Sequence, residues 1–128
     1  MHLLLDTHVL PWAAGQPDRL SKQAVDLLDD PANTLVFSAA NLWEITIKQG
    51  LGRSDFRVDA AVLRRGLLEN GYDELAITSR HTIAVGQLPS IHKDPFDRIL
   101  VAQAENEGLL LLTADETVTR YPGPIRLI

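Results

Sequence analysis

The sequence predicts an α/β fold with a mainly parallel sheet of about five strands. Two observations lead to this expectation: short apolar runs recur along the chain, and helix-length amphipathic stretches lie between them. Strands separated by helices pair in parallel, with helices covering both faces of the sheet. No repeat or Ser/Gly-rich linker interrupts the pattern, so we expect residues 1–128 to form a single domain.

Five apolar runs are the predicted strands, because each is short and rich in aliphatic residues. They are residues 3–5, 35–37, 75–77, 109–112 and 125–128. Open parallel sheets bind ligands beyond the carboxyl ends of their strands. The polar residues directly after the runs, Asp6, Ser38, Thr78 and Thr113, are therefore the first to consider for function.

Helix starts and stops lie between the strands. Ser21 opens a helix over residues 21–28, and a second helix over 39–49 ends at Gly50. Asp59 caps a third helix that runs to residue 70, and Ser79 caps a fourth. Asp94 caps a last helix, since it is followed by proline, which suits the first helical position.

Composition excludes several classes of protein. The chain has no cysteine, so disulfides and thiolate metal sites are absent, and we expect a cytoplasmic protein. Asp6, His8 and Pro11 interrupt the apolar opening segment, which argues against a membrane span or a signal peptide. A net charge of −5 disfavours a broad basic surface for nucleic acid, but a bound cation would neutralise part of that charge.

Asp6 and Glu44 are the first two candidate metal ligands. Asp6 ends a buried strand, where a carboxylate is costly to desolvate unless a cation or several donors meet it; the alternative is a helix cap. Glu44 lies in a helix with apolar residues on nearly all sides. Its side chain faces either solvent or, because its neighbours point inward on more than one side, the end of the sheet. Carboxylates brought together form an oxygen cage for Mg²⁺ or Mn²⁺.

Asp97 and Asp115 are the other two candidates. Asp97 sits like the acid of a capping box after Asp94, but it also shares a helix face with Leu100 and Val101 that must pack on the sheet. Asp115 follows the fourth strand and is either a cap or an outer ligand. Arg98 is expected to form a surface salt bridge. No functional role is predicted for His8 or His92.

Four segments in order resemble the PIN-domain ribonucleases, in particular the VapC toxins of bacterial type II toxin–antitoxin pairs. They are Leu-Leu-Leu-Asp-Thr-His at residues 3–8, the segment 38–48 around Leu-Trp-Glu-Ile, the segment 92–104 around Asp-Pro-Phe-Asp-Arg, and Leu-Thr-Ala-Asp at residues 112–115. The resemblance covers essentially the whole chain. One departure is Pro11, which stands where relatives carry an aliphatic residue and is expected to shorten or bend the first helix.

The resemblance implies a PIN-like three-layer α/β/α sandwich whose acids gather at the carboxyl edge of the sheet around Mg²⁺ or Mn²⁺. The three principal acids of the family match Asp6, Glu44 and Asp97, and its less uniform fourth acid matches Asp115. The resemblance also implies an RNA substrate, a homodimer, and a small antitoxin whose tail enters the acidic groove, often with an arginine.

The hypothesis is a metal-dependent endoribonuclease in which the four acids are metal-binding and catalytic. Two alternatives stay open: a PIN-like module that binds RNA or protein without cutting, and a phospho-receiver domain, which would require a lysine after its last strands. Five basic residues form either a phosphate-binding flank or a merely solvated face. They are Lys48, Arg53, Arg57, Arg64 and Arg65.

Trp12 and Trp43 are expected in the core, or in a core shared with a subunit interface.

Overall fold

The computed structural model of the protein describes residues 1–52 and 58–128. Within these ranges, five strands form one sheet in the order β3-β2-β1-β4-β5, and every neighbouring pair is parallel. The strands are β1 (His2–Leu5), β2 (Thr34–Ser38), β3 (Asp73–Leu75), β4 (Leu110–Thr113) and β5 (Ile125–Leu127). The prediction of a parallel, five-stranded sheet is confirmed, although β3 begins and ends two residues before the predicted run.

Six α-helices connect the strands in the described ranges. They are α1 (Val9–Gly15), α2 (Lys22–Asp29), α3 (Ala39–Gly50), α4 (Ala60–Glu69), α5 (Ser79–Val85) and α6 (Pro95–Glu107). Ser21, Asp59 and Asp94 accept hydrogen bonds from backbone N–H groups of the following turns, as predicted caps should. The predicted cap Ser79 is wrong, because Thr78 caps α5 through the N–H of His81. No described helix is long and apolar enough to cross a bilayer.

Pro11 falls within the first turn of α1. A helix leaves its first N–H groups without an intrahelical acceptor, so proline removes no hydrogen bond there. The helix is nevertheless short, at seven residues.

The helices form a layer on each face of the sheet. Leu3 and Leu5 of β1 point to one face, where they pack with Leu10 of α1, Ile45 of α3 and residues of α4. Leu4 points to the opposite face and packs against α6. These strands are apolar throughout because both faces are covered, which gives the three layers of an α/β/α sandwich.

The strand order places a crevice beside β1. From β1 the chain moves outward to β2 and β3, then crosses back to add β4 and β5 on the other side of β1. Such a reversal leaves the connections after two adjacent strands diverging to opposite faces, which opens a space at their carboxyl ends. Asp6 follows β1 and Asp115 follows β4, so this space is bordered by acids.

Candidate active site

Asp6 is fixed at the end of the central strand. Its backbone N–H donates to Leu112 O at 2.9 Å, which continues the pairing of β1 with β4. Oδ2 of Asp6 accepts a hydrogen bond from Thr113 Oγ1 at 2.6 Å, and Oδ1 accepts one from the Thr7 N–H at 2.7 Å. Burial raises the pKa of this carboxyl group, and the two hydrogen bonds act in the opposite direction.

Glu44 reaches the same space from the second turn of α3. The helix is tied to β1 because Asn41 Nδ2 donates to Leu5 O at 3.2 Å and to Thr7 Oγ1 at 3.0 Å. Only 2% of Glu44 is exposed. Its Oε2 lies 2.5 Å from Lys48 Nζ, and its buried Oε1 has no hydrogen-bond partner among the described residues. A buried carboxylate oxygen without a donor is costly, which makes it a position for a cation.

Asp97 enters from the first turn of α6. Asp94 caps the helix by accepting from the N–H groups of Phe96 and Asp97, so the Asp97 side chain is left for the cleft. It is buried, with 8% exposed. Burial, together with the nearby carboxylates of Asp6, Asp94, Glu44 and Asp115, raises the pKa of Asp97 to about 8.

Asp115 and His92 complete the cluster at its exposed side. Asp115 Oδ1 accepts from the Thr117 N–H at 2.8 Å, whereas Oδ2 lies 3.9 Å from His92 Nε2. His92 Nε2 lies 3.3 Å from Asp97 Oδ2. Asp115 is therefore both a cap and a member of the cluster. His92, to which the sequence analysis gave no role, contacts two of the four candidate acids.

The four candidate acids line one cleft of about 270 Å³. Asp6, Glu44, Asp97 and Asp115 come from four separate segments, and all four are candidates predicted from the sequence. The rest of the lining consists of His8, Trp12, Lys48, His92, Asp94 and Ala114. Among the described residues, five carboxylates and one lysine line the cleft, and mutual repulsion between the carboxylates favours a bound cation.

Comparison with known proteins identifies the family. The model of the PIN domain matches residues 3–124. The chain belongs to the PIN domain family. It is 28% identical over 125 residues to ribonuclease VapC22 of Mycobacterium tuberculosis, covering 96% of this chain and 95% of that protein. The predicted PIN fold is thereby confirmed, and the phospho-receiver alternative is excluded.

Solved structures share the fold of this PIN domain at lower identity. VapBC2 from Rickettsia felis, bound to a DNA fragment from the promoter, aligns with a TM-score of 0.71 at 18% identity, over 99% of this chain and 98% of that one. The DNA-bound VapBC from Salmonella typhimurium aligns with a TM-score of 0.67 at 18% identity, over 98% and 97% of the two chains.

The PIN domain cleft has the ligand chemistry to bind a metal ion. Carboxylate oxygens are the ligands preferred by hard divalent cations such as Mg²⁺ and Mn²⁺. Within the described ranges, carboxylate oxygens of Asp97 and Asp115 and a ring nitrogen of His92 lie within 4.8 Å of one another. The unpaired Oε1 of Glu44 is a further oxygen that a cation would satisfy.

Other expectations for the PIN domain need correction. Lys48 belongs to the cleft rather than to a basic flank, because its Nζ contacts Glu44 and lies 3.7 Å from Asp94 Oδ2. Arg64 pairs with Glu74 on the exposed surface, which agrees with the alternative of a solvated face. Arg53 and Arg57 lie outside the described residues.

Arg98 and Trp43 also differ from expectation. The guanidinium of Arg98 donates to the backbone oxygens of Val85 and Pro89, so its described contacts are internal rather than a surface salt bridge. Trp43 is 52% exposed and is therefore outside the core of the single chain, while its alternative place in a subunit interface stays a prediction. Trp12 is half-buried at the cleft wall.

Proposed function

We propose that this PIN domain is a metal-dependent endoribonuclease that hydrolyses RNA phosphodiester bonds and acts as the toxin of a toxin–antitoxin pair. One observation carries the proposal: three buried carboxylates, from β1, α3 and α6, converge on one cleft in which Glu44 Oε1 has no described partner. The similarity to a protein named ribonuclease VapC22 supports the same chemistry.

Asp6, Glu44 and Asp97 are the proposed ligands of Mg²⁺ or Mn²⁺, with Asp115 as a fourth acid at the cleft mouth. When bound, the cation polarises the scissile phosphate and lowers the pKa of an attacking water. The carboxylates supply the negative charge that retains the ion, and they repel RNA when the ion is missing. Activity should therefore depend fully on the metal.

The residues around the acids prepare the cleft for this role. Thr113 holds Asp6 by a short hydrogen bond, and Lys48 holds one oxygen of Glu44 while the other stays available. A contact to one oxygen holds the carboxylate in place, so less rearrangement is needed when the carboxylate binds a cation. Asp97 binds its proton more tightly than an ordinary aspartate, so it releases that proton as the cation enters.

A small antitoxin protein is the proposed inhibitor. The cleft collects five carboxylates, and an inserted cationic side chain, such as an arginine, would pair with them and displace substrate. Solved VapBC complexes share this fold. A tenfold molar excess of an arginine-containing antitoxin tail should inhibit cleavage, and the inhibition should weaken with added salt.

A homodimer is proposed on the basis of the apolar surface of α3. Trp43 is 52% exposed, Ile47 39% and Leu51 73%. Clustered exposed apolar residues of this kind mark protein interfaces. Light scattering should give twice the monomer mass, and Trp43→Asp should return the monomer; an unchanged monomeric mass for the unsubstituted protein would refute the dimer.

The decisive experiment for the activity is cleavage of total cellular RNA by purified protein freed of any partner. We expect fragments with Mg²⁺ or Mn²⁺, none with chelator, and none from Asp6→Asn. Asp26→Asn is the matched control, because Asp26 is exposed on α2, away from the cleft lining. Undiminished cleavage by Asp6→Asn would refute the assignment.

A further inference from the structure

His92 is held in one orientation by backbone and ring hydrogen bonds. The hydroxyl of Tyr121 accepts from the His92 N–H at 2.8 Å and donates to the His92 carbonyl oxygen at 3.1 Å. The backbone N–H of Asp94 donates to the ring nitrogen Nδ1 at 3.1 Å. Both the main chain and the ring of His92 are therefore fixed before any ligand arrives.

These contacts determine which ring nitrogen carries the proton. Because Nδ1 accepts a hydrogen bond from Asp94, the neutral imidazole must carry its proton on Nε2. Nε2 is the nitrogen that lies 3.3 Å from Asp97 Oδ2 and 3.9 Å from Asp115 Oδ2. A nitrogen that carries a proton donates a hydrogen bond and does not coordinate a metal ion. His92 therefore presents a donor to the acids of the cleft.

Arg98 links this arrangement to the helix that carries Asp97. Its guanidinium donates to the Tyr121 hydroxyl at 3.2 Å and to the carbonyl oxygens of Pro89 and Val85, both at 2.9 Å. Arg98 is the next residue after Asp97 in α6. The loop that holds His92 is thus braced against the helix that holds its partner, so the distance between the two side chains is set by rigid elements.

We infer that His92 is a positioning residue for the proposed metal site: its protonated Nε2, 3.3 Å from Asp97 Oδ2, attracts this carboxylate and keeps it oriented for a cation. The inference rests on the proposed function and deepens it. Asp97 thus has a neighbouring donor group, as Asp6 has in Thr113 and Glu44 has in Lys48, although the contact with His92 is the longest of the three at 3.3 Å. Partners that orient metal ligands typically change metal affinity by about 10- to 100-fold when removed.

The first test is the proton position on the His92 ring. Long-range ¹H–¹⁵N spectra of the metal-free protein, at a pH where imidazole is neutral, should show the Nε2–H form, with His92→Gln identifying the signals. The Nε2 proton should persist when Mg²⁺ is added. A proton on Nδ1, or loss of the Nε2 proton with Mg²⁺, would overturn the inference and make His92 a metal ligand or an unrelated loop residue.

The second test is the affinity for Mn²⁺, measured by electron paramagnetic resonance without RNA. His92→Ala should weaken binding by about 10- to 100-fold. His92→Gln should retain most of the affinity, because its side-chain amide also offers an N–H donor. His2→Ala is the control, since His2 is exposed at the start of β1. Equal affinities for His92→Ala and the control would overturn the inference.

The two measurements separate this inference from the proposed function. If Mn²⁺ binds normally but the ring proton is on Nδ1, only the role of His92 fails. If the unsubstituted protein binds no Mn²⁺ or Mg²⁺, the proposed function fails and the role of His92 toward the metal fails with it.

Discussion

Two groups of buried polar side chains lie at the carboxyl edge of the sheet, and they differ in how they are satisfied. Beyond β1 and β4, the acids Asp6, Glu44 and Asp97 share a cleft in which Glu44 Oε1 has no hydrogen-bond partner among the described residues. Beyond β2 and β3, Ser38 and Gln103 form a second group around the ring of His81, which we call the polar network. The two groups are close in the fold and similar in burial.

Every side chain of the polar network has a described partner. Ser38 Oγ donates to Gln103 Oε1 at 2.6 Å, and His81 Nε2 lies 2.8 Å from Glu107 Oε1. The N–H of Thr78 donates to His81 Nδ1 at 3.0 Å. A satisfied network of this kind stabilises a fold, whereas crowded carboxylates that leave an oxygen unpaired favour the binding of a cation. Burial alone therefore does not distinguish polar side chains that stabilise the fold from polar side chains that form a ligand site.

The largest effect should come from Glu44→Gln. The amide keeps the shape of the side chain but removes the charge beside the proposed metal, so RNA cleavage should decrease by more than about 100-fold, beyond the loss expected for an indirect partner. The melting temperature should change little. A rate close to that of the unsubstituted protein, measured at saturating Mg²⁺, would place the function outside this cleft.

Gln103→Leu should show the opposite behaviour. Leucine leaves the buried Ser38 hydroxyl without its acceptor, which costs about 1–3 kcal/mol of unfolding free energy. The cleavage rate of the folded protein should not change. Urea denaturation and the rate assay on the same preparation test both statements; a large loss of rate with unchanged stability would connect the polar network to catalysis.

The crowded acids should make the metal-free protein less stable as pH rises. The pKa of Asp97 is about 8 in the folded state against an ordinary 3.8, so the folded state binds this proton more tightly. The associated stability is complete below the ordinary value and is lost as pH rises through the folded value. Asp6 acts in the same direction.

Melting temperatures in chelator, from about pH 4 to about pH 9, test this expectation. Asp97→Asn should flatten the decrease and raise the melting temperature at the alkaline end, by roughly 4 °C for each kcal/mol of repulsion removed. Asp26→Asn should keep the slope of the unsubstituted protein. Parallel curves for the two variants would show that Asp97 does not experience the proposed repulsion.

The smallest effect should come from Glu107→Gln at the outer end of the polar network. The side chain is 41% exposed, and its amide can still accept a hydrogen bond from His81. We expect a change in unfolding free energy within about 0.5 kcal/mol and no change in rate. A loss as large as that of Gln103→Leu would show that the charge of Glu107 stabilises the network.

The fold and the four acids could be predicted because their signals are local. Apolar runs identify strands, and Ser21, Asp59 and Asp94 stand at helix starts where a side-chain acceptor is needed. Asp6 directly follows β1 and Asp115 lies two residues after β4, so the parallel topology alone brings them to one edge. That these acids bind a metal ion is a proposal, whether it is argued from the sequence or from the structure.

The side chains that contact these acids were harder to predict from the sequence. His92 reaches the cleft only because Tyr121, 29 residues away, holds its backbone, and no local pattern encodes that contact. Lys48 was detectable, since a glutamate four residues before a lysine faces it on a helix. Whether Trp43 is exposed depends on which face of α3 packs against the sheet. The sequence does not identify that face, because apolar residues lie on nearly all sides of this helix.

The most direct test of the account is calorimetric titration of metal-free protein with Mn²⁺ at neutral pH, in buffers of different ionisation enthalpy. The account predicts saturable binding with release of about one proton, because Asp97 holds a proton there that the cation must displace. Both binding and proton release should be lost in Asp97→Asn and kept in Asp26→Asn. Binding that releases no proton, or that survives Asp97→Asn unchanged, would contradict the claim that the buried acids form the metal site.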